Sequence, residues 1–461
     1  MIENILGIDL GTSSVKLMLC RDGETHKMRE GYSSADTDGW WQAICRAAKS
    51  TDLSSVQAVG LSSQVGTYIV DGKDCIGWNE GVGKEELDLI LSEVSRKEFI
   101  REISMPHPSI ISYPLPRLKY ILSHYPNAKK VCMPKDFICE MLTGGCVSDK
   151  YSWRGLASLD SGKYSVRMLS YIGADSLSLP ELRDPCSIAG YVTKEASHQT
   201  GIPEGTPVYV GCNDFFSGLL GMGICNEGDM FDITGTSEHI GIIESSLPSL
   251  DDGLVSGKYF FENAHYGVTA SSGASIIFGR SLTRLDGVSP AECLCLLPPI
   301  FLPYMNGERA PVWDTDARGV FFGINGKATQ RELSYATVEG VAFSIYHIYE
   351  CMGKPHAEAI TVAGGAGKDR ISNLIKASLF DIPVKVCKES DTSALGALIT
   401  AAVGNGLYPD IRSAVAAVSE ISDTVYPDRE LTPILRARFE IYKGLYPALK
   451  DSFKSFENST L

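Results

Sequence analysis

Apolar and polar positions fall into two cycles along the chain. The first opens with two apolar runs, Ile5 to Ile8 and Val15 to Cys20, on either side of the polar stretch DLGTSS. These runs read as paired strands with Gly11 in the turn. Asp22-Gly23 marks another hairpin turn, so residues 1–35 form a strand meander. Trp40 to Lys49 reads as a helix, VQAVGLSS (56–63) as a strand and TYIVDGKDCIGW (67–78) as a hairpin around Asp71-Gly72. A helical region over 84–145 is expected to break at Pro106, Pro108, Pro114 and Pro126. Residues 146–162, rich in Ser, Asp and Gly, read as a loop. The second cycle starts with TPVYVGCND (206–214), a strand running into a helix start over 214–223. GDMFDITGTSEHIGIIES (228–245) is a strand pair about a polar turn, and its Gly235-Thr236-Ser237 repeats Gly11-Thr12-Ser13. AITVAGGAGKDR (359–370) reads as strand, glycine-rich turn and helix, PVKVCKESDTSALGALITAAV (383–403) as strand and long helix, and 429–456 as a helix. Strands and helices mix throughout, which predicts an α/β protein. SSLPSLDDG (245–253) is the candidate boundary, giving domains of 1–244 and 245–461.

Size and charge narrow the function. The 461 residues, 44% of them hydrophobic, are enough for about three average domains or two large ones. Lys and Arg number 42 against 56 Asp and Glu, a net charge of −14. That argues against a nucleic acid or an anionic membrane as partner. A nucleotide stays open, because helix N-termini, backbone N–H groups and Mg²⁺ bind phosphate on an acidic protein. No apolar run is long enough to span a membrane. The 13 cysteines are scattered, with one CxC at Cys293 and Cys295 and no CxxC, so a zinc site is not indicated. With no basic, apolar signal at the N-terminus, reduced thiols and a cytoplasmic location are expected.

The first turn poses the chemical question. Asp9 ends an apolar run and is followed by Thr12, Ser13, Ser14 and Lys16. Turn chemistry alone accounts for these residue types. A phosphate site accounts for them too: N–H groups and hydroxyls cradle the oxygens, Lys16 adds charge, and Asp9 holds a metal through water. The P-loop pattern is absent, since Gly367-Lys368 is followed by Asp369 and Val362 stands where the first Gly belongs. No GxGxxG follows a strand. Ser13-Ser14-Val15-Lys16 matches SxxK, but it lies within a hairpin and has no KTG partner.

Five stretches in order settle the reading. IDLGTSSVK resembles the first phosphate motif of the actin-like ATPase superfamily, DITGTSEHIG the second, and VAGGAGKDRISNLIKASLFDIPV with the later SALGA the adenosine motif. FLPYMNGERAPVWDTDARGVFFGI (301–324) and MPKDFICEMLTGGCVSD (133–149) resemble the FGGY carbohydrate kinases, xylulokinase-like members above all. The resemblance implies two actin-like ATPase (ribonuclease H-like) domains hinged about a central cleft. It places sugar mainly on the N-terminal domain and ATP on the C-terminal one, with Asp9 organising Mg²⁺, and it allows a homodimer. The family's base is an Asp in a strand-to-helix turn, matched here by Asp214 in YVGCNDFFSGLLGMG. Asn213 or Asp214 also fits a plain helix cap, and the two roles are compatible. Thr12, Ser13 and Lys16 would meet phosphate in the first turn, and Gly235, Thr236 and Ser237 in the second, which otherwise reads as a hairpin turn. Gly364, Gly365 and Ala366 would admit the nucleotide close to backbone or, failing that, serve as a helix-entry turn. Lys368 and Asp369 flank it. Arg309 in GERAP reads as a loop lock before a catalytic group.

The sugar side departs from the pattern. Xylulokinases carry GQMHG where this chain has SQVGT, so Gln64 stays while Val65 and Gly66 replace Met and His. WND.R becomes WNEGV, with Glu80 for Asp and no matching Arg, and Phe215 stands where Asn is common. Gln64, Trp78, Asn79, Glu80 and Asp214 are the sugar-contact candidates, with Asp149 and Trp153 behind them; Trp78 could equally be core. Sites that hydrogen-bond hydroxyls discriminate sharply, so these changes make a change of substrate an open reading: the resemblance implies an ATP-dependent kinase of a ketopentose first, with another polyol, sugar or sugar acid, or a catalytically weak sugar-sensing relative, behind it.

Overall fold

The computed structural model describes residues 2–106, 110–247, 253–289, 292 and 298–459. Cys293 and Cys295, Pro108 and most of the 245–253 segment lie outside them. Chain contacts group into two units. The first holds Met1–Gly223, Gly257–Phe260 and Asp391–Ser419, and the second holds Ile224–Ser256, Phe261–Ser390 and Glu420–Leu461.

The first unit is built on a six-stranded mixed sheet. Its strands are β1 (Ile5–Leu10), β2 (Ser14–Arg21), β3 (Glu24–Gly31), β4 (Ala58–Ser63), β5 (Ile188–Tyr191) and β6 (Pro207–Asn213), in the order β5-β6-β4-β1-β2-β3. β1, β2 and β3 form an antiparallel meander, whereas β1–β4 and β4–β6 run parallel. The meander's second turn is Asp22-Gly23, both at positive φ (54° and 77°), and Asp71-Gly72 repeats this at 49° and 74°, the backbone that two-residue hairpins require. Every residue of β1 and β4 is buried, because helices cover both faces of these central strands. Asp36 caps α1 (Thr37–Lys49) by accepting from the Gly39 N–H, and Trp40, Ile44 and Ala47 of α1 pack on Leu6, Ile8, Leu17 and Val59. Truncating one of these large side chains to Ala would cost about 2–5 kcal/mol.

The 84–145 region holds helices at Lys84–Glu93, Arg96–Ile103, Pro114–His124 and α2 (Pro134–Thr143). Pro114, expected as a break, instead sits in the first turn of its helix, and Pro134 does the same. A first-turn N–H has no intrahelical partner to lose.

The second unit repeats the scheme. Its strands are β7 (Met230–Thr234), β8 (His239–Glu244), β9 (Val255–Lys258), β10 (Asn263–Val268), β11 (Ile360–Gly364), β12 (Val384–Cys387) and β13 (Ile421–Val425), ordered β9-β10-β8-β7-β11-β12-β13. Again the first strand pairs antiparallel with the second and parallel with a later one, here β7 with β8 and with β11. Thus the two GTS turns occupy equivalent places, each joining the first two strands of its sheet. Further helices are α3 (Asp214–Gly221) and α7 (Thr392–Gly404) in the first unit, and α4 (Ser272–Leu282), α5 (Gln330–Cys351), α6 (Arg370–Phe380) and α8 (Leu431–Ser459) in the second. Phe343, Tyr346, Phe380, Phe439 and Tyr442 form an aromatic core between α5, α6 and α8. No helix of the described residues is long and apolar enough to cross a membrane.

Candidate active site

In the first unit the strand ends of β1, β4 and β6 converge. The parallel register sets Asp9 opposite Ser62, whose hydroxyl donates to Asp9 Oδ1 at 2.9 Å, and the antiparallel register sets Asp9 opposite Lys16. Asp9 is 2% exposed. Burial pushes its carboxyl up, while the Lys16 charge and the Ser62 hydrogen bond pull it down. Lys16 pairs with Asp391 at 3.0 Å, and Lys27 reaches the same carboxylate at 3.6 Å. Thr12 and Ser13 lie exposed in the turn between β1 and β2.

β6 ends at Asn213, whose Oδ1 caps α3 by accepting from the Phe216 N–H at 2.9 Å. The cap is therefore Asn213, which leaves the half-buried Asp214 available for chemistry. Its Oδ1 accepts from the Phe215 N–H at 2.8 Å. Burial first, and the Asp9 charge second, push the Asp214 carboxyl up to about 7; the Phe215 N–H, Lys16 and Arg154 oppose the rise. A carboxylate poised near neutrality can both accept and release a proton. Arg154, not singled out from sequence, lies over the rings of Phe216 (4.9 Å), Tyr113 (5.5 Å) and Phe215 (5.7 Å). Phe215, the departure from the family's Asn, is thus part of an aromatic bed under a guanidinium.

The sugar candidates separate into two kinds. Gln64 is 6% exposed, its N–H bonds the Leu10 carbonyl at 2.8 Å, and its Oε1 is buried without a partner. An orphaned buried acceptor marks a place where a ligand donor is wanted. Trp78 is half-buried, with its N–H on Thr67 Oγ1, and Asn79 and Glu80 are exposed. Glu80 Oε1 accepts from the Gly77 N–H at 2.6 Å, closing its own turn, and Arg117 binds the Trp78 and Glu80 carbonyls from behind. Asp149 is fully engaged by the Tyr151 and Ser152 N–H groups, the Ser152 hydroxyl and Lys135. Trp153 is wholly buried and donates to Asp136. Both side chains are held by protein partners.

In the second unit Thr234 ties the second GTS turn to the glycine-rich turn. Its hydroxyl donates to the Ala363 carbonyl at 2.9 Å and accepts from the Ala366 N–H at 3.0 Å, and its carbonyl accepts from the Gly365 N–H at 3.2 Å. Gly364 has φ +97°, and a Cβ there would lie 2.0 Å from the Thr234 carbonyl. Only glycine fits. Gly235 and Thr236 are exposed at the turn, and the Gly273 N–H of α4 bonds the Thr236 carbonyl. Arg309 Nη1 reaches Ser237 Oγ in the turn at 3.4 Å, and its backbone N–H bonds Glu308 Oε1 at 2.8 Å. Beside Gly365, Ala366 and Lys368 opens a cavity of about 470 Å³ with apolar walls at Ile276, Val338 and Ile371, large enough for a nucleoside. Asp369 caps α6 and pairs with Arg280.

Two units, each a mixed sheet with a polar turn between its first two strands, define an actin-like ATPase fold. Models of the FGGY family of carbohydrate kinases match residues 4–221 (N-terminal domain) and 287–404 (C-terminal domain), and the chain belongs to that family. It is an ATP-dependent sugar kinase. A xylulose kinase of Staphylococcus epidermidis is 27% identical over 97% of both chains. The crystal structures of a xylulose kinase and a gluconate kinase from Lactobacillus acidophilus each align with TM-score 0.84 at 22% identity, over 98% of this chain and 99% of theirs.

Proposed function

We propose that this kinase transfers the γ-phosphate of ATP to a hydroxyl of a ketopentose, xylulose first, with Asp214 as general base. The observation that carries the reading is Asp214 in the first turn of α3, just past the Asn213 cap, where burial and then the Asp9 charge push its carboxyl up to about 7. In the reaction Asp214 takes the acceptor hydroxyl's proton as the oxygen attacks the γ-phosphorus and the bond to the β–γ bridging oxygen breaks, releasing ADP. Gln64 Oε1 accepts from a second sugar hydroxyl, and Trp78, Asn79 and Glu80 border the sugar. Thr12, Ser13 and Lys16 in one turn, and Gly235, Thr236 and Ser237 in the other, donate to phosphate oxygens. Gly364, Gly365 and Ala366 admit the nucleotide to the neighbouring cavity. Two half-buried to buried carboxylates that repel one another suit a divalent cation, although no group of three or more ligands stands ready among the described residues. Asp9 would hold Mg²⁺ through water, and the cation would neutralise charge on the transferring phosphoryl group. The protein would work in the cytoplasm, and a homodimer is compatible with the family.

A second reading, a sugar acid of the gluconate type, draws on Arg154. Its guanidinium charge bears on Asp214, and the loss of the family's Met, His and Arg removes contacts suited to a neutral ketose. ADP release should be measured with Mg-ATP across pentuloses, hexuloses, polyols and aldonic acids, with Asp214→Asn alongside. One compound raising the rate by orders of magnitude, with the mutant silent, names the substrate. Equal rates in wild type and mutant would remove Asp214 from the chemistry.

A further inference from the structure

The second unit buries an ion cluster directly behind its polar turn. Lys376, Asp232 and Glu238 are 1%, 0% and 3% exposed. Lys376 Nζ lies 2.5 Å from Asp232 Oδ2 and also contacts Glu238 Oε1. The placement in sequence is informative. Asp232 stands on β7 before the turn at 235–237, Glu238 follows it immediately, and Lys376 lies on α6, which starts just past the 364–369 turn. One ammonium therefore grips both stems of the second GTS turn from the helix behind the glycine-rich turn.

Stability does not explain such a cluster. Burying one cation with two carboxylates carries a large desolvation cost, and apolar side chains of similar size often do as well. Here the balance is incomplete, since Asp232 Oδ1 is buried with no partner. The other ties to the turn are weaker or one-sided. Thr234 fixes its entry, the Gly273 N–H fixes one carbonyl, and the Glu238 N–H bonds Thr269 Oγ1 at 3.1 Å. Only Lys376 holds entry and exit through one atom among these contacts.

We propose that Lys376 is a positioning residue for phosphoryl transfer: by clamping Asp232 and Glu238 it sets the 235–237 turn in the register that meets the ATP polyphosphate. This rests on the reading of that turn as a phosphate site. Lys376 touches no substrate; it acts through the turn.

The test compares wild type, Lys376→Arg and the charge-free triple variant Lys376→Met/Asp232→Asn/Glu238→Gln. Binding of AMP, ADP and ATP is measured by calorimetry, with KM for ATP and for the sugar measured separately. In the triple variant ATP and ADP should weaken by about tenfold or more, the loss of one charge-assisted phosphate contact, while AMP and the sugar KM stay unchanged. Lys376→Arg should restore much of the ATP affinity. Wild-type ATP affinity in a folded triple variant would reduce the cluster to core packing and overturn the proposal. Equal weakening of AMP and ATP would overturn it as well, by moving the effect to the nucleoside cavity. Glu238→Gln, which keeps the Lys376–Asp232 pair and releases the exit stem alone, is the second variant if the triple does not fold, with the same expectations. If wild type itself bound ATP no more tightly than AMP, the phosphate reading of the turn would fall first, a result distinguishable from both.

Discussion

Asp214 is both the proposed base and a stability cost, and replacing it separates the two. Its carboxyl is raised from 3.8 to about 7, chiefly by burial and then by Asp9. At 1.36 kcal/mol per pH unit, this corresponds to at most about 4 kcal/mol of destabilisation when the group is ionised. Part of the side chain meets solvent, so roughly half of that should be measurable. The sign follows from linkage. A carboxyl whose folded value exceeds its unfolded value contributes stability below pH 3.8 and loses it as pH rises through about 7. Asparagine carries no such dependence. Asp214→Asn should therefore match wild type near pH 4 and exceed it by about 1–2 kcal/mol above pH 7, a gain of roughly 1–4 °C in Tm. Its kcat should fall by about 10²–10⁴-fold, while wild-type kcat/KM rises with pH to a plateau above 7. Thermal unfolding of both proteins across pH 4–9 is the assay. A Tm difference that does not change with pH, or a less stable mutant at pH 8, would refute the argument.

Three further changes test the nucleotide side and the Lys16 pair. Gly364→Ala puts a Cβ 2.0 Å from the Thr234 carbonyl at φ +97°, so it should cost about 2–4 kcal/mol of stability in denaturant melts and raise KM for ATP. Thr234→Val removes the Ala363 and Ala366 hydrogen bonds without changing shape; about 1–3 kcal/mol should be lost, with the sugar KM unmoved in steady-state kinetics. Lys16 and Lys27 hold the Asp391 carboxyl below its usual range. The pairing stabilises above pH 3.8 and is lost as pH falls through the lowered folded value, so Asp391→Asn should destabilise at pH 7, with the gap to wild type closing only well below pH 3.8 in the same melts.

Much of the candidate site's local geometry was readable because its signals are local. The paired GTS turns, the glycine-rich turn and Asp214 each depend on a few consecutive residues whose backbone or cap chemistry is written in place. Helix and strand spans followed their apolar periods for the same reason. What escaped depends on partners far apart in the chain. Ser62 bonds Asp9 only because β4 runs parallel to β1, and Arg154 meets Phe215 and Phe216 only through tertiary folding. Trp153 and Asp149 carry residue types that suit a sugar site, yet the core and a turn claim them. Pro114 shows the converse. A strong local signal was present, and its sense, start rather than break, depends on where the helix register falls.

The helix containing SALGA shows how far the units depart from sequence order. Although α7 follows the glycine-rich turn in the chain, it packs in the first unit. Glycines make this possible: a Cβ at Gly60 would lie 1.9 Å from the Ala397 carbonyl, and one at Gly396 would lie 1.9 Å from the Ser217 carbonyl. So α7 approaches β4 and α3 backbone to backbone, closer than any side chain allows. The contact fixes the start of the helix, where Asp391 stands. Asp391 makes no side-chain bond to its own helix end and instead holds Lys16. Lys16 in turn pulls down both Asp9 and Asp214. A small-residue motif near the C-terminus thus sets the charge balance of the N-terminal turn. Enlarging Gly396 should accordingly disturb Asp214 titration as well as packing.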